Sequence, residues 1–348
     1  MLLSHMRSVK YEVKTTRTIP PLRDRHLLIK DVRFERVKVR IYQPKTSNNN
    51  QRRGILYFHG GVGRELFCFV GIPLGPFTRN GCTRTLSLLF RYRLAPEHPF
   101  PAQFEDCLTA AIHFLRTAQD HGVDPSRVVI CGDSSGGTLT AAVAQALVNR
   151  RDLPKLRAQI LIYPFLQCVD LHLPSYQQNA RVPILLKERF IVLGLKYINK
   201  DFSIFEILKG RHVTEDQRLK YQKWVSPDYI PHEFKIRGYK PPPKYLPSKE
   251  MCEAAESMFD PVFSPLLAED SVIAQLPETF LLTCEFDVLR DDGLLYKKRL
   301  EDHGIKVTWC HLQEGFHGAV FLGLFGSVLG FRSGAKGVEK IVNFLRLM

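Results

Sequence analysis

Two adjacent serines stand between glycines in the stretch VVICGDSSGGTLTAAVAQAL, residues 128–147. The apolar residues before them indicate a buried strand and the residues after them a helix, so the serines occupy a sharp strand-to-helix turn. A serine at the apex of such a turn needs a small residue two positions away on each side, because the backbone doubles back on itself. Ser134, between Gly132 and Gly136, meets this condition. The pattern predicts Ser134 as a nucleophile and Ser135 as the donor of a backbone N–H.

The serine needs a carboxylate partner that comes later in the chain. A serine hydroxyl becomes a good nucleophile when a base takes its proton and a carboxylate orients that base. Asp287 ends the apolar run TFLLTCEFD, which places it at the edge of the sheet where the serine lies. Asp291 and Asp292 come at the start of the next predicted helix, where we expect them to stabilise its positive end. The sequence therefore favours Asp287.

The predicted base is His317, in the glycine-flanked loop GFHG that follows the last predicted strand. His311 falls within that strand and His303 at the end of a helix. A single histidine is more often structural than catalytic, but a histidine in this loop after a suitable aspartate fits the order serine, acid, histidine. Ser134, Asp287 and His317 are therefore predicted to act together.

A fourth element is the stretch YFHGGVG, in which His59, Gly60 and Gly61 follow an apolar strand. Backbone N–H groups in such a loop can stabilise the negative charge that develops on a substrate oxygen. We predict an oxyanion hole formed by Gly60, Gly61 and Val62 together with Ser135. The alternative for this stretch alone is a glycine turn that ends a strand.

These residues need a scaffold that brings them to one edge of a sheet. Five short apolar runs, each ended by Gly, Pro or Asp, predict strands buried on both faces: GILYFHG, TLSLLFRY, RVVICGD, AQILIYP and PETFLLTCEFD. Helical patterns between them predict a mostly parallel sheet covered on both sides, an α/β fold. RVKVRIYQP alternates apolar residues with Lys38 and Arg40, which predicts a strand with one wet face.

The alternation of strands and helices breaks after LIYPFLQ. Residues 170–255 hold helical stretches and the proline-rich YKPPPKYLPSKE. An insertion of this size predicts a helical cap over the carboxyl edge of the strands, where ligands bind in α/β proteins. The alternative is a structural appendage. We predict a single domain over residues 1–348 that carries this insertion.

The bulk composition narrows the classes of partner. The chain has 49 Lys+Arg against 35 Asp+Glu, a net charge of +14. Its basic residues are dispersed and no zinc-finger or RNA-binding motif appears, so we expect no nucleic-acid partner. Eight cysteines stand far apart without a C-x-x-C pair, so we expect no metal site. The initial MLLSHMRS is too short an apolar stretch to predict a signal or an anchor helix.

The motifs HGG, YRLAPEHPFPAQFED, GDSSGG, LIYPFLQ, FDVLRDDG and GFHG, over residues 54–320, resemble those of the hormone-sensitive-lipase-like α/β-hydrolases and, among them, the arylacetamide deacetylase-like proteins. The resemblance implies an α/β-hydrolase fold and a serine esterase, lipase or amidase for lipophilic acyl substrates. It implies Ser134, Asp287 and His317 as the triad, with no metal or organic cofactor. It also implies the endoplasmic reticulum, membrane or lumen, through an N-terminal anchor in relatives; without that helix in this sequence, a cytoplasmic location is the alternative.

The sequence departs from the family pattern in one segment. The family oxyanion motif is H-G-G-G, but Val62 stands at its last position, and residues 62–85 do not resemble the helix that normally follows. Relatives also bridge a cysteine after this motif to one before the acid, which implies Cys284 and, less closely placed, Cys68. Two hypotheses follow: an active esterase, with activity reduced by the altered loop, or a catalytically impaired hydrolase fold that binds a lipid or a protein partner.

Overall fold

The computed structural model describes residues 26–45, 52–61, 85–243, 245–323 and 331–348. A sheet of eight strands forms the centre, in the order β1-β2-β4-β3-β5-β6-β7-β8. The strands are β1 (Leu27–Phe34), β2 (Val37–Pro44), β3 (Arg52–Phe58), β4 (Thr85–Arg91), β5 (Val123–Asp133), β6 (Ala158–Ile162), β7 (Glu278–Phe286) and β8 (Val307–Phe316). The pairs from β4 across to β8 are parallel, whereas β1 with β2 and β2 with β4 are antiparallel. The predicted α/β fold with a mostly parallel sheet is confirmed.

The strand β2 corrects one detail of the sequence prediction. Its residue Lys38 is exposed as expected, but Arg40 is buried. The Arg40 guanidinium lies 2.7 Å and 2.8 Å from the two carboxylate oxygens of Asp31 on β1. This paired, bidentate contact allows a cation to lie on a face that the alternation of residues predicts to be wet.

Helices cover both faces of the sheet. In chain order they are α1 (Ala102–Thr117), α2 (Ser135–Leu147), α3 (Pro174–Gln178), α4 (Lys187–Tyr197), α5 (Ile204–Leu208), α6 (Glu215–Gln222), α7 (Lys249–Ala254), α8 (Asp270–Ile273), α9 (Arg290–Asp302), α10 (Ala319–Gly323) and α11 (Arg332–Arg346). Buried side chains of α1, α2 and α9 share one apolar cluster with the segment between β6 and β7. Those of α10 and α11 form a second cluster on the opposite face.

The segment between β6 and β7, residues 163–277, holds helices α3 to α8, and the predicted cap range 170–255 falls within it. Two carboxylates at the start of α9 attach this segment to the core. Asp292 accepts hydrogen bonds from the backbone N–H groups of Leu166 and Gln167 at 2.9 Å and 3.3 Å. Asp291 accepts one from the N–H of Ser175 at 2.7 Å. Both aspartates lie in the first helical turn as predicted, but they are fully buried and connect two parts of the chain.

Candidate active site

Ser134 lies at the apex of a strained turn between β5 and α2. Its backbone has φ 54° and ψ −125°, a conformation that non-glycine residues adopt rarely and that marks functional sites. The flanking glycines make the turn sterically feasible. A Cβ atom at Gly132 would lie 2.2 Å from the Gly136 carbonyl oxygen, and one at Gly136 would lie 2.1 Å from that of Phe58. The predicted requirement for small residues on both sides of Ser134 therefore has a direct steric cause.

His317 links Ser134 to Asp287. Its Nε2 lies 2.9 Å from the Ser134 Oγ and its Nδ1 lies 2.8 Å from the Asp287 Oδ2. A carboxylate only accepts hydrogen bonds, so Nδ1 carries the proton toward Asp287 and Nε2 is left to accept the serine proton. His317 and Asp287 are 7% and 1% exposed. The structure thus brings the three predicted residues into one hydrogen-bonded chain.

The other candidate histidines lie elsewhere, as the sequence predicts. His311 is on β8, where its Nε2 is 3.2 Å from a Glu285 carboxylate oxygen and its Nδ1 is 2.9 Å from the Thr283 Oγ1. His303 follows the end of α9, and its Nδ1 is 2.8 Å from the carbonyl oxygen of Arg299. Both rings have local partners that explain their positions.

Sequence reasoning did not identify Asn179, which holds the turn around the acid. Its side-chain Nδ2 donates to the carbonyl oxygens of Glu285 and Asp287 at 3.0 Å and 2.9 Å, and its Oδ1 accepts from Arg237 at 3.2 Å. Asn179 is fully buried directly after α3. It belongs to no motif and is more than one hundred residues away from Asp287 in the chain, so no local sequence signal identifies it.

The predicted oxyanion loop is attached to the serine turn by two hydrogen bonds to the Asp133 carboxylate. The N–H of Gly60 donates to the Asp133 Oδ1 at 2.9 Å, and the hydroxyl of Tyr57 donates to the same oxygen at 2.6 Å. The Asp133 carboxylate therefore engages the Gly60 N–H in this structure, and the part of Gly60 in an oxyanion hole stays a prediction. Gly61 and Ser135 both line the cavity in front of Ser134. Val62 lies outside the described residues.

His59 stabilises the start of this loop instead of entering the site. Its ring stacks on Tyr92 with 4.4 Å between centroids, and the Tyr92 hydroxyl donates to the His59 carbonyl oxygen at 2.5 Å. The His59 Nδ1 lies 2.9 Å from the Gly60 carbonyl oxygen. Burial lowers the pKa of His59, so a neutral ring whose Nδ1–H donates to that carbonyl fits the geometry. Neither Tyr57 nor Tyr92 was singled out from the sequence.

A cavity of about 320 Å³ opens onto Ser134 and His317. Its remaining wall is mostly aromatic and aliphatic, and most of it comes from the segment between β6 and β7. Members of that wall include Phe165, Leu171, Ile184, Leu185, Phe190, Ile191, Leu193, Leu195, Met258 and Phe263. A wall of this kind favours an apolar group next to the nucleophile.

No three His, Cys, Asp or Glu side chains are grouped as metal ligands within the ranges that the structure describes. In the same ranges no helix has both the length and the apolar character that crossing a bilayer demands. Cys284 is a buried free thiol, and the other cysteine of the implied bridge, Cys68, lies outside these ranges.

Comparisons with known proteins match most of the chain. A family model described as the alpha/beta hydrolase fold matches residues 55–204 and 245–321. Human arylacetamide deacetylase-like 4 is 47% identical over 328 residues, which cover 93% of this chain and 79% of that protein. Arylacetamide deacetylase from Oryctolagus cuniculus is 38% identical over 352 residues, with 98% and 85% covered.

Solved structures show the same fold at lower identity. A carboxyl esterase from Tuber melanosporum superposes with a TM-score of 0.68 at 19% identity, covering 92% of this chain and 87% of that one. An esterase from Pyrobaculum calidifontis gives 0.67 at 22% identity, with 92% and 86% covered. The chain therefore belongs to the hormone-sensitive-lipase-like α/β-hydrolases, among the arylacetamide deacetylase-like proteins, and is a hydrolase of the esterase and deacetylase type.

Proposed function

We propose that this chain is a serine hydrolase that cleaves acyl esters or amides of lipophilic substrates through Ser134, His317 and Asp287. The observation that carries the proposal is the hydrogen-bonded chain from the Ser134 Oγ through His317 to Asp287, at 2.9 Å and 2.8 Å, at the base of an apolar cavity. Each of these contacts has the length that proton transfer between the groups requires.

The arrangement supports a two-step reaction. The Ser134 oxygen attacks the substrate carbonyl carbon as His317 Nε2 takes the hydroxyl proton, and Asp287 stabilises the resulting imidazolium. The tetrahedral intermediate collapses when the same proton passes to the leaving alcohol or amine, which leaves an acyl-enzyme. Water then gives a proton to His317, attacks the acyl carbon and releases the acid as the proton returns to the serine.

The apolar wall supports a substrate with a lipophilic group next to the ester or amide. Carboxylesterases, lipases and deacetylases act on substrates of this kind. No cofactor enters this reaction. The relatives that are named deacetylases favour amides as well as esters among the substrates to be tested.

The second candidate function is a hydrolase fold that binds a lipid or a protein partner with little or no turnover. The engaged N–H of Gly60 favours it, because one predicted oxyanion donor is withdrawn. Loss of one such donor costs about 3 kcal/mol of transition-state stabilisation, which is roughly a hundredfold or more in turnover. We therefore propose reduced but measurable esterase activity.

An active-site-directed fluorophosphonate tests the proposal on the purified full chain. Labelling and hydrolysis of p-nitrophenyl butyrate by the wild type, both lost in Ser134→Ala, support a working esterase. Labelling without hydrolysis of this or longer acyl esters supports the second candidate. A folded wild type that the probe does not label, or a Ser134→Ala variant that it still labels, overturns the assignment of the nucleophile.

We further propose that the protein resides at the endoplasmic reticulum, as the family resemblance implies, in contact with a membrane surface. Expression of the tagged full chain, followed by cell fractionation and protease protection, distinguishes a lumenal from a cytoplasmic position. Recovery in the cytosolic fraction alone would contradict this proposal and leave the catalytic one unaffected.

A further inference from the structure

A short loop forms part of the mouth of the cavity. We call residues 180–187 the mouth loop; a hydrogen bond of 2.9 Å from the Lys187 N–H to the Ala180 carbonyl oxygen closes it. Ile184 and Leu185 line the cavity. A Cβ atom built on Gly318, the residue after the catalytic histidine, would lie 3.7 Å from the Ile184 Cγ2. The mouth loop therefore borders the loop that contains His317 and Gly318.

The same loop presents apolar side chains to solvent. Ile184 and Leu186 are 41% and 42% exposed, and Pro183 between Val182 and Ile184 is exposed as well. Ile184 also has φ 80°, a left-handed conformation that is costly for a β-branched residue. Strain of this kind persists where the surroundings enforce it, and it concentrates at ligand-binding sites. Exposed apolar residues that continue into an apolar cavity form a single surface that water solvates poorly.

Cations flank these apolar residues. Arg181 precedes them and Arg189, on the first turns of α4, follows them at the cavity rim; both are exposed. Neither arginine has an ion pair with a carboxylate in the part of the chain that the structure describes. Apolar side chains between unpaired cations are the combination that binds the surface of a bilayer containing anionic lipids.

We infer that the mouth loop docks on an anionic lipid surface and turns the cavity toward the bilayer. The inference rests on the proposed function, because a lipophilic ester is dissolved in the bilayer and would pass from it into the cavity without crossing water. A protein partner explains the exposed apolar residues less well, since it does not account for their continuity with a substrate cavity flanked by arginines.

The test uses the full chain and vesicles of phosphatidylcholine with or without phosphatidylserine. Leu186 is the N-cap residue of α4 and its side chain makes no capping hydrogen bond. Aspartate is a preferred N-cap residue, so Leu186→Asp removes the apolar group and adds a negative charge without a cost to the helix. Leu186 does not line the cavity, which separates vesicle binding from chemistry at Ser134.

A matched control lies near the amino-terminal ends of the strands. Leu347 is 87% exposed, and it borders a groove with Arg157 and Glu278 at the starts of β6 and β7. Ser134 is at the carboxyl ends of the strands, so Leu347→Asp makes the same chemical change away from the cavity. We expect Leu186→Asp and Arg181→Glu each to lower the vesicle partition coefficient about fivefold or more, with Leu347→Asp unchanged.

Cosedimentation gives the partition coefficient, and p-nitrophenyl butyrate in solution reports the chemistry. Phosphatidylserine-dependent binding that is lost in the two mouth-loop variants supports the inference. If such binding is found but the ester is not hydrolysed, the inference stands and the proposed function fails. Equal losses in Leu347→Asp, or no binding by the wild type, overturn the inference. A concentration-dependent dimer that Leu186→Asp dissociates, without vesicle binding, also overturns it in favour of a second copy of the chain.

Discussion

Ser134 and Ser135 are adjacent in the chain, but the geometry supports only Ser134 as the proposed nucleophile. The Ser134 Oγ lies 2.9 Å from the His317 Nε2, whereas Ser135 begins α2 and borders the cavity. The backbone N–H of Ser135, rather than its hydroxyl, is the group that an oxyanion needs.

Alanine at these two positions should therefore give opposite results. We expect Ser134→Ala to lower the turnover of p-nitrophenyl butyrate by about 10⁴-fold or more, and Ser135→Ala to retain most of the wild-type rate. Steady-state kinetics measure both effects, and circular dichroism checks the folding of each variant. Comparable losses in the two variants would show that the nucleophile has been assigned to the wrong serine.

We predict that Asn179 is a positioning residue, since it holds the turn around Asp287 and does not line the cavity in front of Ser134. Asn179→Leu removes the donor to the Glu285 and Asp287 carbonyl oxygens. We expect kcat to fall roughly tenfold to a hundredfold with KM nearly unchanged, because a small displacement of the acid misorients His317.

Gln178→Leu is the matched control for that variant. It removes the hydrogen bonds of the Gln178 side chain with the Phe234 carbonyl oxygen and the Arg290 guanidinium. The hydrogen bonds of Asn179 to the Glu285 and Asp287 carbonyl oxygens stay in place. If both variants lower kcat equally, the effect comes from general loosening of this region, and Asn179 has no specific positioning role.

The loop after β3 is attached to the turn after β5. Tyr57 and Gly60 both donate to Asp133, so the position of the loop depends on the residue before the nucleophile. This connection fixes the start of the loop, and the predicted oxyanion donors further along it are the N–H groups of Gly61 and Val62.

Val62→Gly tests those later donors. Glycine reaches positive φ and lets the main chain approach a substrate, whereas a β-branched residue is disfavoured there. We expect the turnover of a short acyl ester to rise at least severalfold, measured on purified wild type and variant with folding checked for both. An unchanged or lower rate would mean that Val62 does not limit the activity.

The segment between β6 and β7 contains a buried histidine that makes it sensitive to acid. Burial lowers the pKa of His212 to about 4, and its Nε2 lies 2.9 Å from the Cys168 carbonyl oxygen. Between the ordinary pKa of 6.5 and this value, the unfolded chain binds a proton that the folded chain excludes, so stability falls as the pH falls.

His212→Gln keeps a donor for Cys168 and removes the titration. From pH 7 to pH 5 we expect the wild type to lose about 2 kcal/mol more unfolding free energy than the variant does. Urea titrations at both pH values measure the difference. Parallel losses in the two proteins would place the acid sensitivity in other groups.

Across the whole molecule, the sequence predicts what depends on local patterns and misses what depends on distant contacts. The buried parallel strands and the triad follow from short motifs. Strand β1 was not predicted, because LLIKDVRF has no clear alternation and exists as a strand through pairing with β2. The acceptor of the Gly60 N–H and the role of Asn179 both arise from side chains far away in the chain, which only the fold brings together.

The anchoring of the β6–β7 segment predicts that the molecule unfolds as one unit. Asp291, Asp292 and Arg299 of α9 all bond to that segment. The chain has two tryptophans: Trp224 within the segment, under the Arg299 guanidinium at 3.7 Å, and Trp309 on β8.

Trp309→Phe leaves Trp224, whose fluorescence reports on the β6–β7 segment. Trp224→Phe leaves Trp309, whose fluorescence reports on the sheet. We expect the fluorescence transition of each variant in urea to coincide with its own circular dichroism transition. A fluorescence midpoint for Trp224 well below the circular dichroism midpoint would instead show that the β6–β7 segment unfolds independently.

The turn from β7 into α9 combines, in one motif, a residue of the proposed active site and residues that stabilise the fold. In FDVLRDDG, Asp287 meets His317, whereas Arg290, Asp291 and Asp292 are buried and hold the fold together. A descendant that loses catalysis would still need the last three residues to fold. Persistence of the motif as a whole therefore records descent and foldability. Within this motif the proposed activity depends on Asp287, and outside it on His317 and Ser134.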